Sequence, residues 1–211
     1  MVNVIFSSIC AVIQLILWWS YEYDLLKNLI IRISKGKHGN SVNKVLKFLV
    51  DALPFILLVR YHSPLAIFFL MGCFLSDRLL GMNMIVGEIS FLITYTVTSI
   101  LVTVGYGFNL IYWISAEAFI LTAMIVIFIF LKESVGEKIV KAIYGLVSLG
   151  SCTVAFLHTL DFGFACLVIG DILLVIREIL KKNGSSSAKL VSCISNSFYF
   201  VGVCFVPLVL V

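Results

Sequence analysis

Apolar residues run almost unbroken through eight stretches of the chain, at about residues 2–21, 43–60, 63–81, 84–105, 108–131, 138–159, 162–180 and 190–210, divided by short clusters of charge, Pro, Gly and Ser. Most approach the ~20 residues that a helix needs to cross the hydrocarbon core. The runs are continuous and lack the alternation of an outer-membrane barrel, so they predict helices. The expected architecture is all-α: a polytopic membrane protein with eight transmembrane helices, residues 1–211 forming a single transmembrane domain. Only 12% of the residues are charged, about half the share of a soluble domain, which excludes a soluble globular chain.

Charge changes the picture through its distribution. Lys27, Arg32, Lys35, Lys37, Lys44 and Lys47 flank the first connection, Arg78 the third, Lys132, Lys138 and Lys141 the fifth, and Arg177, Lys181, Lys182 and Lys189 the seventh. The even connections and both termini hold only Arg60. The positive-inside rule then puts the odd connections in the cytoplasm and both termini on the non-cytoplasmic side of an endoplasmic-reticulum or plasma membrane. Asn183-Gly184-Ser185, formally a glycosylation sequon, falls on the cytoplasmic side in this topology. No basic patch is interleaved with aromatics, so the expected partner is the bilayer and not nucleic acid. All six cysteines fall inside predicted spans with no C-x-x-C, as packing residues do. The first segment lacks a basic n-region and an A-x-A site, and is read as a retained helix.

Polar positions inside the runs are few. Helix 1 ends in Trp18, Trp19, Tyr21 and Tyr23 at headgroup level, and its Gln14 predicts a helix-to-helix hydrogen bond. Leu25, Leu26, Leu29, Ile30 and Ile33 recur at helical spacing, predicting a short interfacial helix before the loop 35–40. In helix 2, Asp51 can pair with Lys47 one turn earlier, and Pro54 predicts a kink. Gly72 and Ser76 admit a close neighbour to helix 3, while Arg78 is expected to snorkel away from Asp77. Helix 4 carries the row Ser90, Thr94, Tyr95 and Thr98, helix 5 the lone acid Glu117, helix 6 a small-residue face of Gly145, Ser148, Gly150 and Ser151. Helix 8 brings Ser195, Asn196, Ser197 and Tyr199. His158 and Asp161 read as a surface pair.

Two segments stand out against this background. Phe74-Leu75-Ser76-Asp77-Arg78-Leu79-Leu80 and Val168-Ile169-Gly170-Asp171-Ile172-Leu173-Leu174 each set a carboxylate after a small residue near the cytoplasmic end of a span. A carboxylate costs roughly 2.5–3.5 kcal/mol at the centre of an inserted helix, so a matched pair points to a shared interior cavity and a function. The two aspartates lie 94 residues and four helices apart, which predicts parallel repeats of four helices, in halves 1–131 and 138–211 around the loop 132–138.

With these segments the chain resembles the YhhN-type lysoplasmalogenase family of integral membrane hydrolases. The resemblance rests on the eight spans, Leu53-Pro54, the first aspartate segment, Gly87 and Phe91, Tyr144, Gly163 through Leu174, and Tyr199. The chain departs from the family's pattern at Asp51, where a Lys is common, at Tyr95, where a His is common, and at Ser76 in place of Gly. The resemblance implies hydrolysis of the vinyl ether bond of a lysoplasmalogen to a fatty aldehyde and glycerophosphoethanolamine or glycerophosphocholine, with Asp77 and Asp171 as catalytic residues and no cofactor. One carboxyl would protonate the β-carbon and the other would steady the oxocarbenium ion or deprotonate water; which does which is open at this point. Tyr95, Glu117, Asn196, Tyr199 and Asp51 are candidates for binding the lysophospholipid substrate. A non-enzymatic transporter or lipid-binding protein is the competing reading, since parallel repeats with polar interiors also describe carriers. A metal-dependent ceramidase-like hydrolase would need His and Asp ligands, and His38, His62 and His158 are scattered without zinc spacing.

Overall fold

The computed structural model describes residues 2–25, 28, 39–130 and 143–210. The predicted interfacial helix beyond Leu25, most of the loop after Lys35 and the divider at 132–138 lie outside the described residues. Among those described the fold is all-α, with eight helices. They are α1 (Val2–Glu22), α2 (Gly39–Ala52, continued by a 3-10 segment Leu53–Val59), α3 (Pro64–Met82), α4 (Met84–Tyr106) and α5 (Leu110–Phe130). After a π-helical turn at Gly145–Leu149 come α6 (Gly150–Thr159), α7 (Phe162–Lys182) and α8 (Ala188–Phe205, ending in a 3-10 turn Val206–Val209).

Four helical stretches, Val2–Glu22, Pro64–Met82, Ile85–Tyr106 and Ala188–Val209, are long and apolar enough to cross a membrane, with shorter apolar helices at Leu110–Ile125 and Gly145–Thr159. Ile5, Ile9 and Val12 of α1 and Ile93, Val97 and Ile100 of α4 face outward, while Ser7, Gln14, Thr94, Thr98, Ser148 and Ser195 are buried. Such an apolar exterior over a partly polar interior suits a lipid surround.

Small residues set the tightest helix contacts. A Cβ on Gly163 would come within 2.5 Å of the Val206 nitrogen, and one on Gly170 within 3.2 Å of the Ser195 carbonyl oxygen, so both glycines turn to α8. The Ser195 hydroxyl then donates to the Gly170 carbonyl at 2.8 Å. The α3–α4 pair is built alike: Gly72 sits against Thr94, and the Ser76 and Ser90 hydroxyls meet at 2.8 Å. Helix α1 packs on α2 and α8, α4 and α5 on α6, and α6 on α7.

Pro54 fixes the geometry of α2. It has no N–H to give to the carbonyl four residues back, that of Val50, and the helix tightens into its 3-10 segment there. Gln14 of α1 supplies the missing donor, its Nε2 lying 2.8 Å from the Val50 oxygen. The Gln14 Oε1 accepts in turn from the Cys204 thiol of α8 at 3.2 Å, so one side chain ties three helices. The expected helix-to-helix bond of Gln14 is present, with a definite cause.

The expected His158–Asp161 pair does not form. Asp161 instead caps α7, accepting from the backbone N–H groups of Gly163 at 2.8 Å and Phe164 at 3.3 Å, while His158 lies edge-on to the Tyr112 ring. Helix-capping wins because the first N–H groups of α7 have no carbonyl of their own turn to meet. Burial pushes the Asp161 carboxyl upward, and these two N–H groups pull it back down.

Replacing Gln14 by Leu should lower stability by about 1–3 kcal/mol, the cost of stranding a buried carbonyl. Adding Pro54→Ala should recover much of that loss, because the helix can then bond Val50 itself; thermal unfolding in detergent of the two single variants and the double variant is the check.

Candidate functional site

Asp77 and Asp171, drawn from α3 and α7, line one cavity of about 400 Å³. Its size lies within the range of small-molecule sites. The lining follows helical faces. Asp171, Leu174, Val175 and Glu178 of α7 stand at i, i+3, i+4 and i+7, and Glu88, Phe91 and Tyr95 of α4 at i, i+3 and i+7. The remaining wall includes Leu80, Met124, Tyr144, Leu149 and Tyr199. Glu88, Arg177 and Glu178 lie among these residues toward the ends of α4 and α7 that adjoin the third and seventh connections, the basic end of the bundle.

The two acids have different surroundings. The Tyr199 hydroxyl donates to Asp77 Oδ2 at 2.8 Å. Its ring is held edge-on to Phe91, which in turn leans on Tyr95. Asp171 has the Tyr144 hydroxyl as its polar neighbour, yet its Oδ2 is buried with no hydrogen-bond partner among the described residues. Two carboxyls lining one largely apolar space, each beside a tyrosine hydroxyl and one with an oxygen uncommitted among the described residues, can exchange a proton with a molecule bound there.

Of the residues expected to bind substrate, Tyr95, Asn196 and Tyr199 line this cavity. Glu117 does not: its carboxylate sits against Gly150 in the α5–α6 contact, because only a residue without a side chain leaves room there. Asp51 does not line this cavity either, and its charge is spent on an ion-pair cluster. Lys47 Nζ reaches Asp51 Oδ1 at 2.7 Å, as the one-turn spacing predicts, and Arg78 Nη2 lies 3.3 Å from Oδ2. The expectation that Arg78 snorkels away is therefore corrected. Its guanidinium turns inward over the Phe48 and Phe74 rings toward a carboxylate 1% exposed, where pairing outweighs hydration.

Comparison of the chain with family models, with curated proteins and with solved structures finds no match. The site is thus read from its own geometry. Sequence reasoning left out Glu88, Arg177 and Glu178 as cavity residues, although Asp171 to Glu178 is seven residues, two helical turns on one face. Among the described residues no group of three or more His, Cys, Asp or Glu is placed to hold a metal ion.

Removing both cations from Asp51, as Lys47→Met with Arg78→Met, should destabilise the protein by about 3–5 kcal/mol, the cost of an uncompensated buried charge. Adding Asp51→Leu should return most of it, measured by denaturant or thermal unfolding of the three variants.

Proposed function

We propose that this chain is a multi-pass membrane hydrolase that cleaves the vinyl ether bond of lysoplasmalogens, with Asp77 and Asp171 as its acid–base pair. The observation that carries the reading is the meeting of these two carboxylates on one apolar-walled cavity. In this reading all eight helices cross the bilayer as two parallel four-helix repeats. A detail of the backbone supports the repeat: laying Asp77 on Asp171 sets the π-helical turn of Gly145–Leu149 over residues 51–55, where Pro54 interrupts α2. The basic end faces the cytoplasm, and both termini lie on the other side.

The alkenyl chain occupies the apolar part of the cavity, and the glycerophospho-base lies toward Glu88, Arg177 and Glu178. One carboxyl delivers its proton to the β-carbon of the vinyl ether, giving an oxocarbenium ion. The other takes a proton from the water that attacks the α-carbon, and returns it to the departing glycerol oxygen as the hemiacetal collapses. The hemiacetal hydroxyl proton restores the first carboxyl, so protons balance over the cycle. Tyr199 holds Asp77 in place through its 2.8 Å hydrogen bond. A cavity with charged residues toward one end also suits a lipid carrier, which would bind the same molecules without consuming them.

Purified protein given a lysoplasmenyl lipid should release long-chain aldehyde. Asp77→Asn and Asp171→Asn should each reduce release at least about 100-fold, the usual scale of a lost acid–base group, with unfolding curves unchanged. Tyr199→Phe should lower it less. Binding without aldehyde from the unaltered protein would favour the carrier.

A further inference from the structure

The large cavity has a charged border whose recognition chemistry the vinyl ether reaction does not use. Arg177 and Glu178 of α7 both line the cavity, and Glu88 of α4 adds a second carboxylate. Arg177 Nη2 and Nε donate to one oxygen of Glu178, Oε1, at 2.5 and 3.1 Å, with the two side chains 27% and 23% exposed. Arg177 Nη1 and Glu178 Oε2 take no part in these bonds. The pair thus keeps one nitrogen to donate and one oxygen to accept, and a partly hydrated ion pair contributes little by itself. It can therefore be exchanged for the two charges of a zwitterion, phosphate on the guanidinium and ammonium on the carboxylate.

We infer that Glu178, with Arg177 beside it, selects the head group, and that the site takes a lysophospholipid bearing a primary ammonium, an ethanolamine head, in preference to a choline head. The inference rests on the lysophospholipid reading of the cavity and adds the head group to it; it holds equally for a hydrolase and for a carrier. Reach agrees with it. Asp171 and Glu178 line the cavity from one face of α7, and seven residues set them about 10.5 Å apart along the helix axis. Nine bonds separate the ether oxygen of a lysoplasmalogen from its head-group nitrogen, about 11 Å when extended at backbone-like bond lengths. An ether held at the aspartates therefore brings its nitrogen to the level of Glu178. What waits there decides between the heads. A quaternary ammonium has no N–H and is recognised by the faces of aromatic rings. The rings that line this cavity are gathered around the aspartates instead: Tyr199 bonds Asp77, Tyr144 stands beside Asp171, Phe91 lies edge-on to Tyr199, and Tyr95 meets Phe91. At the charged border the lining offers carboxylate oxygens, which suit a primary ammonium with three N–H donors.

The test is competition binding to the full chain in lipid nanodiscs, with empty nanodiscs subtracted. The probe is a radiolabelled saturated alkyl-ether lysophosphoethanolamine, which contains no vinyl ether to cleave. It is displaced by unlabelled lipids of the same chain whose heads carry no, one, two or three N-methyl groups. In the unaltered protein the choline lipid should bind about tenfold more weakly than the ethanolamine lipid, the scale of one lost charge-assisted hydrogen bond, with the largest step at the third methyl, which removes the last N–H. Glu178→Gln should bring the two heads to within about twofold of each other. Arg177→Met should weaken both heads by a similar factor and keep their ratio, because the phosphate is common to them. Equal or tighter binding of the choline lipid by the unaltered protein would overturn the inference, as would an unchanged ratio in Glu178→Gln or unchanged affinities in Arg177→Met. The methyl series needs only the unaltered chain, so it decides even where a variant does not fold. Aldehyde release is read separately: head-group preference without aldehyde supports this inference and favours the carrier, whereas aldehyde from both lysoplasmenyl lipids with equal affinity overturns this inference and supports the hydrolase.

Discussion

A polar group surrounded by hydrocarbon must find its partner inside the protein, and the carbonyl of Val50 is where that rule organises this fold. Pro54 deprives the carbonyl of its helical donor; Gln14 of α1 replaces it and holds Cys204 of α8 with its other end. The next residue along α2 is Asp51, so the bond that satisfies a broken helix also fixes where a buried carboxylate will stand. From there Lys47 and Arg78 are drawn in, and the Arg78 guanidinium passes over Phe48 and Phe74 to reach it. One missing N–H thus propagates through three helices to the residue beside Asp77.

The cavity has a second origin. Glycines and serines draw α3 onto α4 and α7 onto α8. Both pairs contribute to the large cavity, with residues of α5, the π-helical turn and the stretch before it completing the wall. Close approach within the pairs leaves the aromatic side chains to fill the space between them: Phe91 braces Tyr199, and Tyr199 meets Asp77. Tyr199 thus meets Asp77 at the cavity that Asp171 also lines.

Asp51 illustrates how one residue can be placed in two ways by one pattern. Its spacing from Lys47 announces an ion pair, and that pair forms. Nothing in the spacing says that the carboxylate's other oxygen will meet Arg78 from another helix. Glu117 is the opposite case: an acid in mid-span that looks as functional as Asp77, yet is set against Gly150 by the way α5 leans on α6.

The sequence by itself determined most of the described helices to within about two residues, because hydrocarbon demands long unbroken apolar runs and Pro, Gly and charge end them where the chain can meet water; α2, which begins at Gly39 ahead of its apolar run and tightens at Leu53, is the exception. It also marked the two aspartate segments, since a carboxylate in such a run is costly enough to be conspicuous. The tertiary structure decided which polar residues share a space. Whether Glu117 or Glu178 joins the aspartates, and whether Arg78 turns outward or in, depends on the rotation of each helix about its axis. That rotation is set by contacts between distant residues such as Gly170 with Ser195 and Gln14 with Val50, which no local pattern records.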